Sequence, residues 1–203
     1  MDNTVGSRRV LSPKQQSILI GLLLGDGHME YRYTYPRLRI THSLKQKDYV
    51  NWLYSQFKEF CTQEPHEMKR VDSRTNNTYY WYLFSTRTTS AFLEYYRMFY
   101  PKGKKVVPKN IEQLLSSKLS LGIWYMDDGF KRSDCDSLYL CTSGFTLEEQ
   151  IFLQGILQKK YGLETKIHFA GKNARIYFPV KSARRFCELI KPYLLPMFNY
   201  KLL

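Results

Sequence analysis

Apolar residues recur three and four apart in several stretches of the chain and two apart in others. Residues 17–27, "SILIGLLLGDG", and 120–129, "SLGIWYMDDG", are apolar helical runs that end in Asp-Gly. Residues 47–60, 89–100, 146–162 and 181–194 carry apolar stripes at the helical period, as expected of helices packed on one face. The aromatic residues on these stripes are expected in the core rather than as platforms for stacked bases. Strict alternation takes over in "YRYTYPRLRITHS", 31–43. There Arg37, Arg39 and Thr41 fall on one face and Leu38, Ile40 and His42 on the other, which predicts a strand with a cationic outer side. Residues 68–87 read as a hairpin turning near Asn76 and Asn77, and 165–180 as one turning near Gly171–Asn173.

Local signals fix two helix starts. Ser12 is an N-cap followed by Pro13 and a capping-box Gln15, and Thr146 pairs with Glu149 in the same way. The predicted order in each half is helix, two strands, helix, two strands, helix. This is an α+β chain of two αββαββα halves, each with an antiparallel sheet and helices behind it. The Asp-Gly helix ends repeat from position 26 to position 128, so a pseudo-twofold axis is expected to relate the halves. Gly21 and Gly25, four apart, would let the first helix approach a neighbour closely. Gly122 is the matching small residue of the second. If these helices lie side by side, Asp26 and Asp128 emerge on the same side.

Acidic side chains at a helix C-terminus are electrostatically misplaced, at a cost of about 0.3–1 kcal/mol. A divalent cation would offset that cost, because hard ions are held by carboxylates, water and phosphate oxygens. The plainer alternative is that Asp and Gly simply make a turn.

Composition narrows the partner class. The 203 residues are 43% hydrophobic, enough for a core, and 31 Lys and Arg against 18 Asp and Glu leave a net charge of +13. A chain this basic matches a phosphate backbone. The cations lie mainly in strand-like segments rather than along one helix face, which argues against a membrane surface. The run "ILIGLLLG" is too short to span a bilayer, and "MDNTVGSRRV" carries no apolar stretch of the signal-peptide kind, so export is not expected. Cys61, Cys135, Cys141 and Cys187 show neither CxxC spacing nor a disulfide framework. His28 and His42 are read as structural or solvent-facing. Lys69, Arg70, Arg74, Arg87, Lys166, Lys172 and Arg175 flank or face the hairpin turns, a pattern that fits a sheet laid in a nucleic-acid groove.

Residues 19–27, "LIGLLLGDG", and 121–129, "LGIWYMDDG", together with "FTLEE", "IKPYLLP" and "YKL", resemble the LAGLIDADG homing endonuclease family in its two-motif, single-chain form. The likeness is greatest to the branch of the yeast mitochondrial omega-intron enzyme. It implies halves at 11–103 and 118–203, a linker at 104–117, and a two-helix interface formed by the motifs. It also implies a monomeric, site-specific endonuclease that hydrolyses a long asymmetric DNA duplex and is encoded by a mobile intron. The organelle would then be the mitochondrion or chloroplast; otherwise the place would be the cytoplasm or nucleoid.

Carried over by position, the metal-binding residues are Asp26 and Asp128, sharing two or three Mg²⁺ (or Mn²⁺) ions, with backbone oxygens of Gly25 and Asp127 as further donors. The Asp127 side chain is not an expected ligand. Lys105 and Lys201 match the supporting lysines. A polar active-site residue, often Gln in the family, is replaced here by His42 or Ser43 in the first half and Ser143 in the second. Arg32, Arg37, Arg39, Lys131 and Arg132 join the cations above as DNA contacts. An RNA-binding maturase serving the host intron is the alternative on the same fold.

Overall fold

The computed structural model describes residues 10–171 and 173–203. Helix α1 (Pro13–Leu24) starts at the expected capping box: the Ser12 N–H donates to Gln15 Oε1 (2.9 Å) and the Gln15 N–H to Ser12 Oγ (3.2 Å). Strands β1 (His28–Arg32) and β2 (Tyr35–Ser43), helix α2 (Lys47–Phe57), strands β3 (His66–Val71) and β4 (Thr78–Ser85) and helix α3 (Leu93–Phe99) follow. After a short α4 (Ile111–Leu114) the series recurs as α5 (Lys118–Asp128), β5 (Gly129–Lys131), β6 (Leu138–Leu140), α6 (Leu147–Tyr161), β7 (Lys166–Ala170), β8 (Asn173–Phe178) and α7 (Val180–Ile190). The strands make two four-stranded antiparallel sheets of the same topology, β1-β2-β4-β3 and β5-β6-β8-β7. The α+β class and the doubled αββαββα series are those the hydrophobic pattern predicts. No described helix is long and apolar enough to cross a membrane. All four cysteines are free thiols.

The chain forms two compact units. One joins residues 10–16 with Gly27–Met98; the other joins Ser17–Asp26 with the described residues of Phe99–Leu203. In the first unit Leu38, Ile40 and His42 are buried while Arg37, Arg39 and Thr41 are half-exposed, as the alternation requires. The apolar side meets Tyr49, Val50, Leu53 and Phe57, the buried stripe of α2. Residues 31–43 are not one strand, however. The chain turns at Tyr33, whose φ is +56°, and β1 pairs back on β2. A left-handed Tyr carries no Gly or Asn signature, so the turn is silent in the sequence. The second hairpin turns where expected, with Asn76 at φ +53°.

In the second unit residues 17–24 of α1 pack on α5 without room for a side chain at Gly21. A Cβ there would lie 2.6 Å from both Ile123 Cβ and the Ser120 carbonyl oxygen. The small partner on α5 is Ser120, fully buried, whose Oγ donates to the Ser17 carbonyl (2.7 Å). Gly122, expected in that role, faces Tyr193 instead. Helix α6 has the predicted Thr146–Glu149 capping box and stops at Gly162, whose φ of +64° suits glycine. Glu149 Oε1 also accepts the Val107 N–H (2.8 Å), tying down the segment just after Lys105. The chain end closes as a 3₁₀ turn, Pro196–Lys201, with Phe198 and Lys201 buried.

Candidate active site and nucleic-acid interface

The second unit contains both acidic helix ends, because Asp26 belongs to it. Asp26 follows the last turn of α1, and its backbone N–H donates to Asp127 Oδ2 (3.0 Å). Gly25 is the residue that permits this approach, since a Cβ there would lie 2.6 Å from that same oxygen. Asp127, set aside as a ligand in the sequence reading, thus caps the end of the first motif from the second. Its carboxylate and that of Asp26 have oxygens within 4.8 Å of each other.

Asp128 is half-buried at the last position of α5. Burial pushes its carboxyl up to about 7, the Asp26 charge adds to that, and the Lys105 and Lys201 charges pull against it. Lys105 lies within the expected linker and donates from Nζ to the Gly25 carbonyl (2.7 Å). Lys201 is 7% exposed and donates to the Met126 carbonyl (2.6 Å), while Tyr125 Oη donates to the Lys201 carbonyl (2.6 Å). Burial holds both ammonium groups below the usual lysine range, against the pull of Asp26, Asp127 and Asp128. A buried lysine, a half-buried one and three carboxylates therefore converge within one unit. The Gly25 carbonyl, expected as a metal donor, already spends one lone pair on Lys105.

Of the polar candidates, His42 is buried in the first unit with its ring 5.1 Å from that of Tyr49, and Ser43 is exposed at the end of β2. Ser143 is exposed beside Cys141 and Arg175, which line a small surface hollow with it.

Strand register sorts the cations. In the first sheet Arg32, Arg37, Arg39 and Arg70 share the outer face with Trp81 and Tyr79. Lys69 points to the opposite face, because neighbours along a strand alternate. Arg74 pairs with Asp72 in the turn, and Arg87 donates to the Glu59 carbonyl (2.8 Å). Sequence reasoning missed Glu30, which stands among the arginines of this face and pairs with Arg32, Arg37 and Arg39. In the second sheet the outer face carries Phe130, Tyr139, Tyr177, His168 and Lys166. Arg175 lies over the Tyr139 ring (4.7 Å) and Arg132 over the same ring (5.8 Å). Lys131 pairs in register with Leu138 and so sits on the other side. Lys172 lies outside the described residues.

Paired acidic helix ends backed by lysines, in a fold of twin cation-bearing sheets, define a class of protein with solved members. The homing endonuclease I-WcaI bound to its DNA recognition sequence superposes with a TM-score of 0.90 at 29% identity, over 96% of this chain and 88% of that one. The chain belongs to the LAGLIDADG DNA endonuclease family, whose pattern matches residues 16–186. It is 31% identical over 200 residues to the "Probable intron-encoded endonuclease 1" of Wickerhamomyces canadensis, covering 95% of this chain and 85% of the relative. It is 30% identical over 206 residues to the "Cytochrome b mRNA maturase bI2" of Debaryomyces hansenii, covering 98% of this chain and 78% of the relative.

Proposed function

We propose that the protein is a site-specific homing endonuclease that cuts a long, asymmetric DNA duplex by hydrolysing one phosphodiester in each strand. The observation that carries this reading is the convergence of Asp26, Asp127 and Asp128 with the half-buried Lys105 and the buried Lys201. Family membership and the likeness to an endonuclease bound to DNA support it. The halves 11–103 and 118–203 differ in sequence, so each would read a different half of the site, and one chain would serve one duplex.

The donor set suits a hard divalent cation. The carboxylates are crowded, burial and a like charge push Asp128 toward protonation, and a cation among them would relieve both. Asp26 and Asp128 would hold it, Mg²⁺ or Mn²⁺, and when bound it supplies charge stabilisation at the phosphoryl oxygens and a more acidic water. The protein's own residues do the rest. Lys105 and Lys201, pinned by backbone carbonyls, set two positive charges where negative charge grows on the phosphoryl group, and their fixed geometry needs no reorganisation. Asp127 keeps Asp26 in place through the backbone.

The maturase relative favours a second reading, in which the protein binds its host intron RNA. The acidic cluster argues for the nuclease, since carboxylates repel RNA phosphates and give a pure RNA binder nothing. If the gene lies in an organellar intron, the protein acts in that organelle. Incubation with a randomised duplex library in Mg²⁺, followed by sequencing of broken ends, tests the proposal. Ends converging on one long asymmetric sequence are expected. Intact duplexes alongside tight binding of the host intron transcript would favour the maturase.

A further inference from the structure

The outer face of the first sheet carries one acid among its arginines. Glu30 of β1 stands opposite Arg37 of β2, and the two-residue alternation puts Arg32 and Arg39 on the same face. Glu30 Oε2 accepts from Arg37 Nε (3.0 Å) and Nη2 (2.7 Å) and from Arg32 Nε (3.3 Å), while Arg39 Nη1 lies 3.7 Å from Oε1. The Glu30 and Arg37 side chains are only 20% and 26% exposed. Burial pushes the Glu30 carboxyl up, but the Arg37 hydrogen bond and the charges of Arg37, Arg39 and Arg32 outweigh it and hold the group below its ordinary value.

A carboxylate is out of place on a surface that works by attracting phosphate, because it cancels charge the arginines would otherwise offer. What it supplies is order. Arg37 spends two of its five N–H donors on Glu30, which fixes the guanidinium plane and leaves three free. A plane fixed in this way can meet a guanine O6 and N7 side by side, a contact that discriminates bases by about 1–3 kcal/mol. An untethered arginine is also free to turn to the nearest phosphate, a contact that carries no sequence information.

We propose that Glu30 is a specificity-determining residue: it holds Arg32, Arg37 and Arg39 in base-reading poses and restrains them from binding phosphate at any sequence. The inference rests on the DNA-binding reading above. Its test is Glu30→Gln, equal in shape and lacking the charge, titrated by fluorescence anisotropy against random-sequence 30-base-pair duplexes across a salt series. The variant is expected to bind random duplex about threefold to tenfold more tightly, with a salt slope steeper by about 0.9 for one more phosphate neutralised. In a selection from randomised duplexes it should enrich a broader set, with the lost discrimination confined to one end of the site. Glu30→Asp, which keeps the charge, should stay near the wild type in random-duplex affinity. Unchanged affinity and unchanged preference in Glu30→Gln would make Glu30 a bystander. A switched preference at a single base pair, without loosening elsewhere, would make it a base reader in its own right. Either outcome overturns the proposal. A wild type that ignores duplex DNA at low salt would instead sink the DNA-binding reading itself.

Discussion

Asp127 does a job that its place in the motif does not announce. Its Oδ2 accepts the Asp26 N–H across a separation of 101 residues, which a reading of either motif alone cannot find. Asn offers a carbonyl oxygen at the same place, so Asp127→Asn should keep cleavage near the wild-type rate. Asp127→Ala frees the end of α1 and should slow cleavage by about tenfold, or about 1.4 kcal/mol. Single-turnover rates separate the two, and equal losses in both variants would show that the charge, not the hydrogen bond, is what matters. Lys201 raises a related question at the chain end. Spacing and composition alone would leave a lysine there on the surface, but the apolar "IKPYLLPMFNYKLL" predicts a packed terminus, and in the fold Lys201 is buried against the Met126 carbonyl. Lys201→Met keeps the aliphatic stem but strips that carbonyl of its donor. The variant should lose about 1–3 kcal/mol of stability and, assayed well below its melting temperature, cut at least about tenfold more slowly. An unchanged rate would remove Lys201 from the site.

Among the elements, the helix pair made by α1 and α5 is where packing leaves least tolerance. Gly21 has backbone and a β-branched side chain at 2.6 Å from where its Cβ would be, so Gly21→Ala must separate the helices that carry the acids. A loss of about 1–3 kcal/mol is expected in urea unfolding, the range for overpacking, and cleavage should suffer more than stability because the carboxylate spacing changes with it. An unfolding midpoint equal to that of the wild type would show that the interface is looser than the contact implies. Most elements were legible in the pattern: both capping boxes, four helical stripes and two hairpin turns stand where local chemistry puts them. Two features were not. The β1–β2 turn rests on Tyr33 in a conformation its side chain does not advertise, and the α1 contact falls to Ser120 rather than Gly122 because helix rotation, which spacing does not fix, decides which small residue faces the partner. Register, equally unreadable from composition, divides Arg70 from Lys69 and Arg132 from Lys131.

For the whole molecule, a net charge of +13 should make duplex binding fall steeply with salt, by about 0.9 in log K per decade of salt for each phosphate neutralised. A slope near zero would contradict the use of the sheet faces on DNA. Binding and cutting should nevertheless separate, because the cations proposed to hold the duplex lie on the outer sheet faces whereas Asp26 and Asp128 lie at the helix ends. The most direct measurement is cleavage and binding of one duplex library, in Mg²⁺, by the wild type and by Asp26→Asn and Asp128→Asn. The wild type should leave double-strand ends at a single long sequence. Each variant should retain that sequence in a binding selection while making no coordinated double-strand break. Wild-type ends from either variant would contradict the assignment of Asp26 and Asp128 as the residues on which cleavage depends.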